Sequence, residues 1–117
     1  MAPEGQDAAY LWDMLEAAKE AVEILGAMDV KTFKQDKIRC RAVERTLEII
    51  GEAARRVSPK YQTQHPEIPW RDMIGQRNIL AHEYGQIDHE LLYKTIREDI
   101  PKLILALSQL LPSTDEY

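Results

Sequence analysis

Val43-Glu-Arg-Thr-Leu47-Glu-Ile-Ile50-Gly-Glu-Ala-Ala54-Arg-Arg-Val57 is the stretch from which the fold is read. Val43, Leu47, Ile50, Ala54 and Val57 recur after 4, 3, 4 and 3 positions. That spacing lines one face of an α-helix, whereas a strand alternates every second residue. Between them stand mostly Glu and Arg, which give the opposite face to water. Upstream, Thr32 followed three residues later by Gln35 has the form of a capping box and predicts the start of this helix. Ser58-Pro59 predicts its end.

The same period recurs on both sides. Leu11, Leu15, Ala18, Val22 and Leu25 predict a first helix with Asp7 as N-cap, fading around Gly26. Pro69 suits the first position of a third helix, where its missing N–H is not needed, and that helix is expected to run to about Tyr84 and close at Gly85. Asp88 can cap a fourth helix carrying Leu92, Ile96, Ile100, Leu103, Leu107 and Leu110. Pro101 falls inside that helix and is expected to bend it or split it in two. The polar segment from Pro59 to Pro69 has room for one short extra helical turn. No stretch shows the period of a strand, and there is no internal repeat or Gly/Ser linker. The expectation is an all-α protein, an antiparallel bundle of four main helices forming a single domain over residues 1–117.

Composition narrows the function classes. A chain of 117 residues supports one hydrophobic core. With 44% apolar and 30% charged residues, it has no apolar run near the ~20 residues that cross a bilayer, so a membrane-embedded protein is not expected. Met1-Ala-Pro-Glu-Gly-Gln-Asp7 lacks the basic start and apolar middle of a secretory signal, which points to the cytoplasm. Cys40 is the single cysteine and reads as a small packed side chain rather than a metal ligand. The net charge of -5 argues against indiscriminate nucleic-acid binding, yet it hides a contrast. Residues 31–60 hold nine bases against four acids, while the segments on either side are acidic. A segment of that kind is ordinarily a solvated, salt-bridged face, and it serves as an RNA track only if its cations face the site.

The third helix breaks its own pattern. Trp70, Met73, Arg77, Leu80 and Tyr84 share one stripe, so Arg77 stands in an otherwise apolar and aromatic row. A desolvated guanidinium must meet a carboxylate, reach a solvent-filled groove or await an anionic ligand. Glu52 and Glu48 are the candidate partners. His82 lies about 140° around the helix from Arg77, and Tyr84 within about 20° of it. Asn78 lies one turn before His82 and can orient its imidazole. One copy of the helix cannot readily aim Arg77 and His82 at one atom, whereas two copies facing across a two-fold axis can. A histidine can move a proton at a ribose 2′-hydroxyl or a leaving oxygen, and an arginine can clamp the phosphate, so the pair suits RNA cleavage without a metal or other cofactor. On spacing alone a surface or capping His82 and an internally paired Arg77 remain open. His82-Glu83 and His89-Glu90 look like a metal set but lack a tetrahedral spacing signature.

Three blocks carry a resemblance. They are Gln35-Asp-Lys-Ile with Glu48-Ile-Ile-Gly-Glu-Ala-Ala-Arg55; His65-Pro-Glu-Ile-Pro-Trp70-Arg; and Arg77-Asn-Ile-Leu-Ala-His82-Glu-Tyr84 leading to Ile96-Arg-Glu-Asp-Ile-Pro-Lys-Leu103. In this order, over roughly three-fifths of the chain, they resemble the HepT-like toxins of the HEPN superfamily. The resemblance implies a helical homodimer whose paired Arg-x4-His motifs line an endoribonuclease cleft, with Arg77 and His82 catalytic. It also implies a toxin-antitoxin pair, in which a minimal nucleotidyltransferase antitoxin adds AMP to Tyr84. Glu52 is expected to hold the Arg77 fork or serve the core. Many members follow the motif His with Gly and the Tyr with Phe, and here Glu83 and Gly85 stand in those places. The alternative is a non-catalytic module whose cleft binds a nucleotide or only the partner.

Overall fold

The computed structural model describes Pro3, residues 5–82 and residues 87–112, the side chains of Ala81 and His82 excepted. In chain order it contains α1 (Gly5–Leu25), α2 (Val30–Gln35), α3 (Lys37–Arg56), α4 (Pro59–Gln64), α5 (Trp70–His82), α6 (His89–Lys94), a π-helical turn (Thr95–Asp99) and α7 (Ile100–Leu110). No strand occurs among the described residues. The main runs are α1, α2 with α3, α5, and α6 continuing into α7, which is the expected all-α bundle. The short α4 is the extra turn anticipated after Pro59.

The ends of the helices show where local chemistry departs from the reading above. Asp7 does not cap α1, which already begins at Gly5. Its carboxylate goes instead to Ser58, Oδ1 accepting from the backbone N–H at 2.9 Å and Oδ2 from the hydroxyl at 2.7 Å. Gly26, at φ +55°, closes α1 in the left-handed region that favours glycine. Thr32 is not an N-cap either. Asp29 takes that place, its Oδ1 accepting from Thr32 N at 2.8 Å; a charged acceptor facing the positive helix end displaces the weaker hydroxyl cap. The expected second helix is also interrupted, because Asp36 accepts from Arg39 N at 3.0 Å and starts α3 afresh. Pro69 stands just before α5 rather than inside it, its carbonyl accepting from Met73 N. Asp88 caps α6 as expected, accepting from Glu90 N and Leu91 N. Gly85, the expected closing residue of α5, lies outside the described residues.

Pro101 disturbs the last run as expected, dividing it into α6 and α7 by a π turn without ending it. It has no N–H for the Arg97 carbonyl and its ring crowds that group, and the chain loosens by one residue into the π turn, closed by Ile100 N–H donating to Thr95 O.

α1 lies at the centre, against α3 and also against α7. Serving two neighbours, it buries a wider face than one stripe: Met14, Ala17 and Ala21 join Leu11, Leu15, Ala18 and Leu25, while Val22 of the expected stripe is half-buried. Val43, Leu47, Ile50, Ala54 and Val57 of the α3 stripe are all buried, as are Leu92, Ile96, Ile100, Leu103 and Leu107. Cys40 is buried with its Sγ–H donating to Phe33 O at 3.1 Å, and burial pushes its thiol pKa up. No helix among the described residues is long and apolar enough to cross a membrane.

α4 sets where α5 lies. Gln62 Nε2 donates to Ala54 O and Val57 O at 3.2 and 2.9 Å, satisfying carbonyls at the end of α3. The Tyr61 ring stacks on His65 and meets Trp70 edge-on, while Trp70 Nε1 donates to His65 O at 2.9 Å. The end of α3 is thereby tied to the first residue of α5.

Candidate active site on the fifth helix

α5 packs on α3 at one close approach. Gly51 of α3 has no room for a side chain: an added Cβ would overlap Arg77 Cβ and stand 2.6 Å from Met73 O. This contact fixes the base of the Arg77 side chain. Trp70, Met73 and Leu80, its neighbours on the stripe, are buried, but the Arg77 side chain keeps 28% of its exposure and reaches the rim of a groove. That groove, of about 500 Å³, is lined by Tyr10 and Asp13 of α1, Arg45, Glu48, Glu52 and Arg56 of α3, and Arg77 itself.

Of the two anticipated partners, Glu52 is the one that meets Arg77, with Nη2 3.1 Å from Oε2. Glu48 pairs with Arg45 at 3.3 Å instead. The Glu52 Oε1 atom accepts from Arg55 at 2.8 Å and Arg56 at 3.0 Å. Those two hydrogen bonds, with the charges of Arg55 and Arg77 behind them, hold the Glu52 carboxyl down at about 2 against partial desolvation. Oε2 is closed off from solvent without a hydrogen-bond donor aligned on it among the described residues. The Arg77 contact is therefore one of charge rather than of hydrogen bonding.

Asn78 is exposed, and its Oδ1 accepts from Arg77 Nη1 at 3.1 Å. Arg77 is thus held from two sides, by Glu52 behind and Asn78 beside it. The backbone of His82 ends α5, while its side chain, together with Glu83 and Tyr84, lies outside the described residues. The second half of the suspected metal set is engaged otherwise: His89 Nε2 stands 2.9 Å from Glu44 Oε2, and Glu90 Oε2 is 3.7 Å from Lys34 Nζ. Among the described residues no three His, Cys, Asp or Glu side chains gather where a metal ion fits.

The sequence reading did not find Tyr10, Asp13 or Arg56 as part of this groove. Tyr10 and Asp13 lie off the apolar stripe of α1 and reach the groove only through the packing of α1 on α3. A glycine in the middle of an otherwise strong helix, as at Gly51, was the signal available for a close helix approach.

The ribonuclease HepT-like family model matches residues 14–110. The chain belongs to the HepT-like ribonuclease family, of the HEPN class. Two relatives are each 43% identical to it. "Putative RNase MJ1380" of Methanocaldococcus jannaschii aligns over 95 residues, 81% of this chain and 87% of the relative. "Probable ribonuclease HepT" of Thermococcus cleftensis aligns over 94 residues, 80% and 86%. A third, "Putative RNase TTE0752" of Caldanaerobacter subterraneus, is 30% identical over 102 residues, 87% of this chain and 91% of its own. No solved structure matches the chain.

Proposed function

We propose that this protein is a metal-independent endoribonuclease, with Arg77 as the phosphate clamp and His82 as the proton-transfer group. The observation that carries it is the seating of Arg77: a guanidinium in an apolar stripe, anchored by Glu52 and Asn78 on the rim of an open groove. In the reaction the ribose 2′-oxygen attacks the adjacent phosphorus and the bond to the 5′-oxygen breaks. His82 takes the 2′-hydroxyl proton or delivers one to the departing 5′-oxygen, and Arg77 favours the extra charge on the phosphoryl oxygens. The products are a 2′,3′-cyclic phosphate and a 5′-hydroxyl end.

Because Arg77 and His82 are about 140° apart around an α-helix, the reading includes a homodimer in which one protomer's Arg77 works beside its partner's histidine. It also includes a toxin-antitoxin setting in the cytoplasm, with a minimal nucleotidyltransferase as antitoxin. AMP on Tyr84, within about 20° of the Arg77 line, would bring a bulky phosphate to the guanidinium and block the cleft.

The test is cleavage of RNA by the purified protein in EDTA, with Arg77→Ala and His82→Ala as helical, dimeric controls. Loss of cleavage in both supports the assignment. Cleavage at the parental rate in both refutes it. For silencing, intact mass after co-expression with the candidate partner should gain one AMP, and Tyr84→Phe should gain none. The second reading is a module whose groove holds a nucleotide or only the partner without cutting, the acids Asp13, Glu48 and Glu52 there opposing the charge of an RNA strand. It predicts saturable binding of a nucleotide or of the partner with no RNA products.

A further inference from the structure

Lys37, Arg41 and Arg45 follow one another at four-residue steps along α3 and are all exposed. Each step advances about 6 Å along the helix. They line two grooves of about 500 Å³ each. The first contains Lys34, Lys37, Arg41 and Leu80, and the second contains Arg45, Arg56 and Arg77. Glu48 belongs to both, so the two meet there and form one path along α3. α5 borders that path through Arg77 in one half and Leu80 in the other, the residues that lead to His82.

We infer that this path is a track for the sugar-phosphate backbone of single-stranded RNA, with Lys37, Arg41 and Arg45 each meeting a successive phosphate on one side of the Arg77 site. Three of the acids within it have partners, Glu52 standing among Arg55, Arg56 and Arg77, while Asp13 also lines the path. Glu44 is held by His89 Nε2 at 2.9 Å, and Glu48 lies 3.3 Å from Arg45. Lys34 reaches out to Glu90 at the edge. Among the described residues neither Lys37 nor Arg41 forms an ion pair. A row of like charges at regular intervals suits a polymer with one negative charge per nucleotide. A protein partner would have to present acids at matching steps of about 6 Å, whereas a nucleic-acid backbone carries one negative charge at every nucleotide.

The inference rests on RNA being the ligand of the Arg77 site, and the test separates the two. A short fluorescent single strand of 2′-O-methyl RNA, which lacks the free hydroxyl needed for cleavage, is titrated with the parent and with the triple variant Lys37→Gln, Arg41→Gln, Arg45→Gln across a salt series. Removing three phosphate contacts should flatten the plot of log affinity against log salt by about 2 and weaken binding at least about tenfold at low salt. The charge-keeping variant Lys37→Arg, Arg41→Lys, Arg45→Lys should bind as the parent does. Unchanged affinity and slope in the glutamine variant overturn the track, as does equal loss in the charge-keeping one. If the strand binds along α3 while cleavable RNA stays intact, the track stands and the nuclease assignment fails.

Discussion

Gly51→Ala tests whether the Arg77 site depends on the closeness of two helices. In an ordinary helix interior the change is stabilising, since alanine is favoured over glycine by about 1 kcal/mol. Here the new methyl would overlap Arg77 Cβ and lie 2.6 Å from the Met73 carbonyl oxygen. Neither obstacle is the free end of a flexible side chain. α5 would have to move outward on the order of 1 Å to restore normal contact, and overpacking of this kind costs about 1–3 kcal/mol. With both obstacles rigid the clash lies in the upper half of that range, about 2–3 kcal/mol, so after the propensity gain of about 1 kcal/mol a net loss of about 1–2 kcal/mol remains, with a melting temperature lower by about 4–12 °C for a chain of this size. Gly75 of α5 is the internal control. It is exposed, and an added Cβ meets nothing within 4 Å, so Gly75→Ala should gain about 0.5–1 kcal/mol. Urea denaturation followed by circular dichroism reads both. If Gly51→Ala melts higher than the parent, the tight α3–α5 contact does not constrain the molecule. A displacement of about 1 Å at Arg77 is also expected to reduce RNA cleavage by about 100-fold, with helical content unchanged.

Glu52→Gln should reveal a pH window. The Glu52 carboxyl lies at about 2 in the folded chain against an ordinary 4.5, so its stabilising contribution is complete above pH 4.5 and is lost as pH falls toward 2. The parent should be the more stable of the two at neutral pH, with the gap closing between pH 4.5 and 2 in thermal melts; a gap independent of pH sinks the idea. Asp7→Ala removes both hydrogen bonds to Ser58 and should cost about 2 kcal/mol, because the acceptor is charged and half-buried. A loss below about 0.5 kcal/mol in urea denaturation would mean that water replaces Ser58 at no cost.

What the sequence made legible was whatever depends on period. The stripe of α3 was read residue by residue, and that of the last run except at Leu110, which is half-buried while Leu111 is buried, because one buried face repeats at helical spacing whatever it packs against. α1 was read too narrowly, since a helix between two neighbours buries residues off its main stripe, and nothing local announces the second neighbour. Caps were legible only where a single candidate stood in place, as at Asp88. Where Asp29, Thr32 and Asp36 competed, the outcome depended on which carboxylate could reach which N–H. Pro101 announced a disturbance but not its form. The position of Arg77 in an apolar row was visible at once. Its partner was narrowed to Glu52 and Glu48, with Glu52 expected to hold the fork, and Glu52 is the one that meets it; the height at which α5 lies on α3, set by Gly51 and by the Gln62 and Trp70 ties, decides between them.

The ion pair with Glu52 and a role in catalysis are not competing accounts of Arg77. A guanidinium carries five N–H donors, and two directions account for its contacts here: Nη2 toward Glu52 and Nη1 toward Asn78. Glu52 is itself held by Arg55 and Arg56 through its other oxygen, so three cations surround one carboxylate. The cluster as a whole is positive, three cations standing against the one carboxylate of Glu52. Because no N–H is aligned on Oε2, Arg77 is attracted without being locked, and turning it toward a phosphate breaks no aligned hydrogen bond to Glu52. A fully hydrogen-bonded fork–fork pair at this position would have to be dismantled before a substrate could bind. The looser contact keeps the guanidinium charged, placed and available.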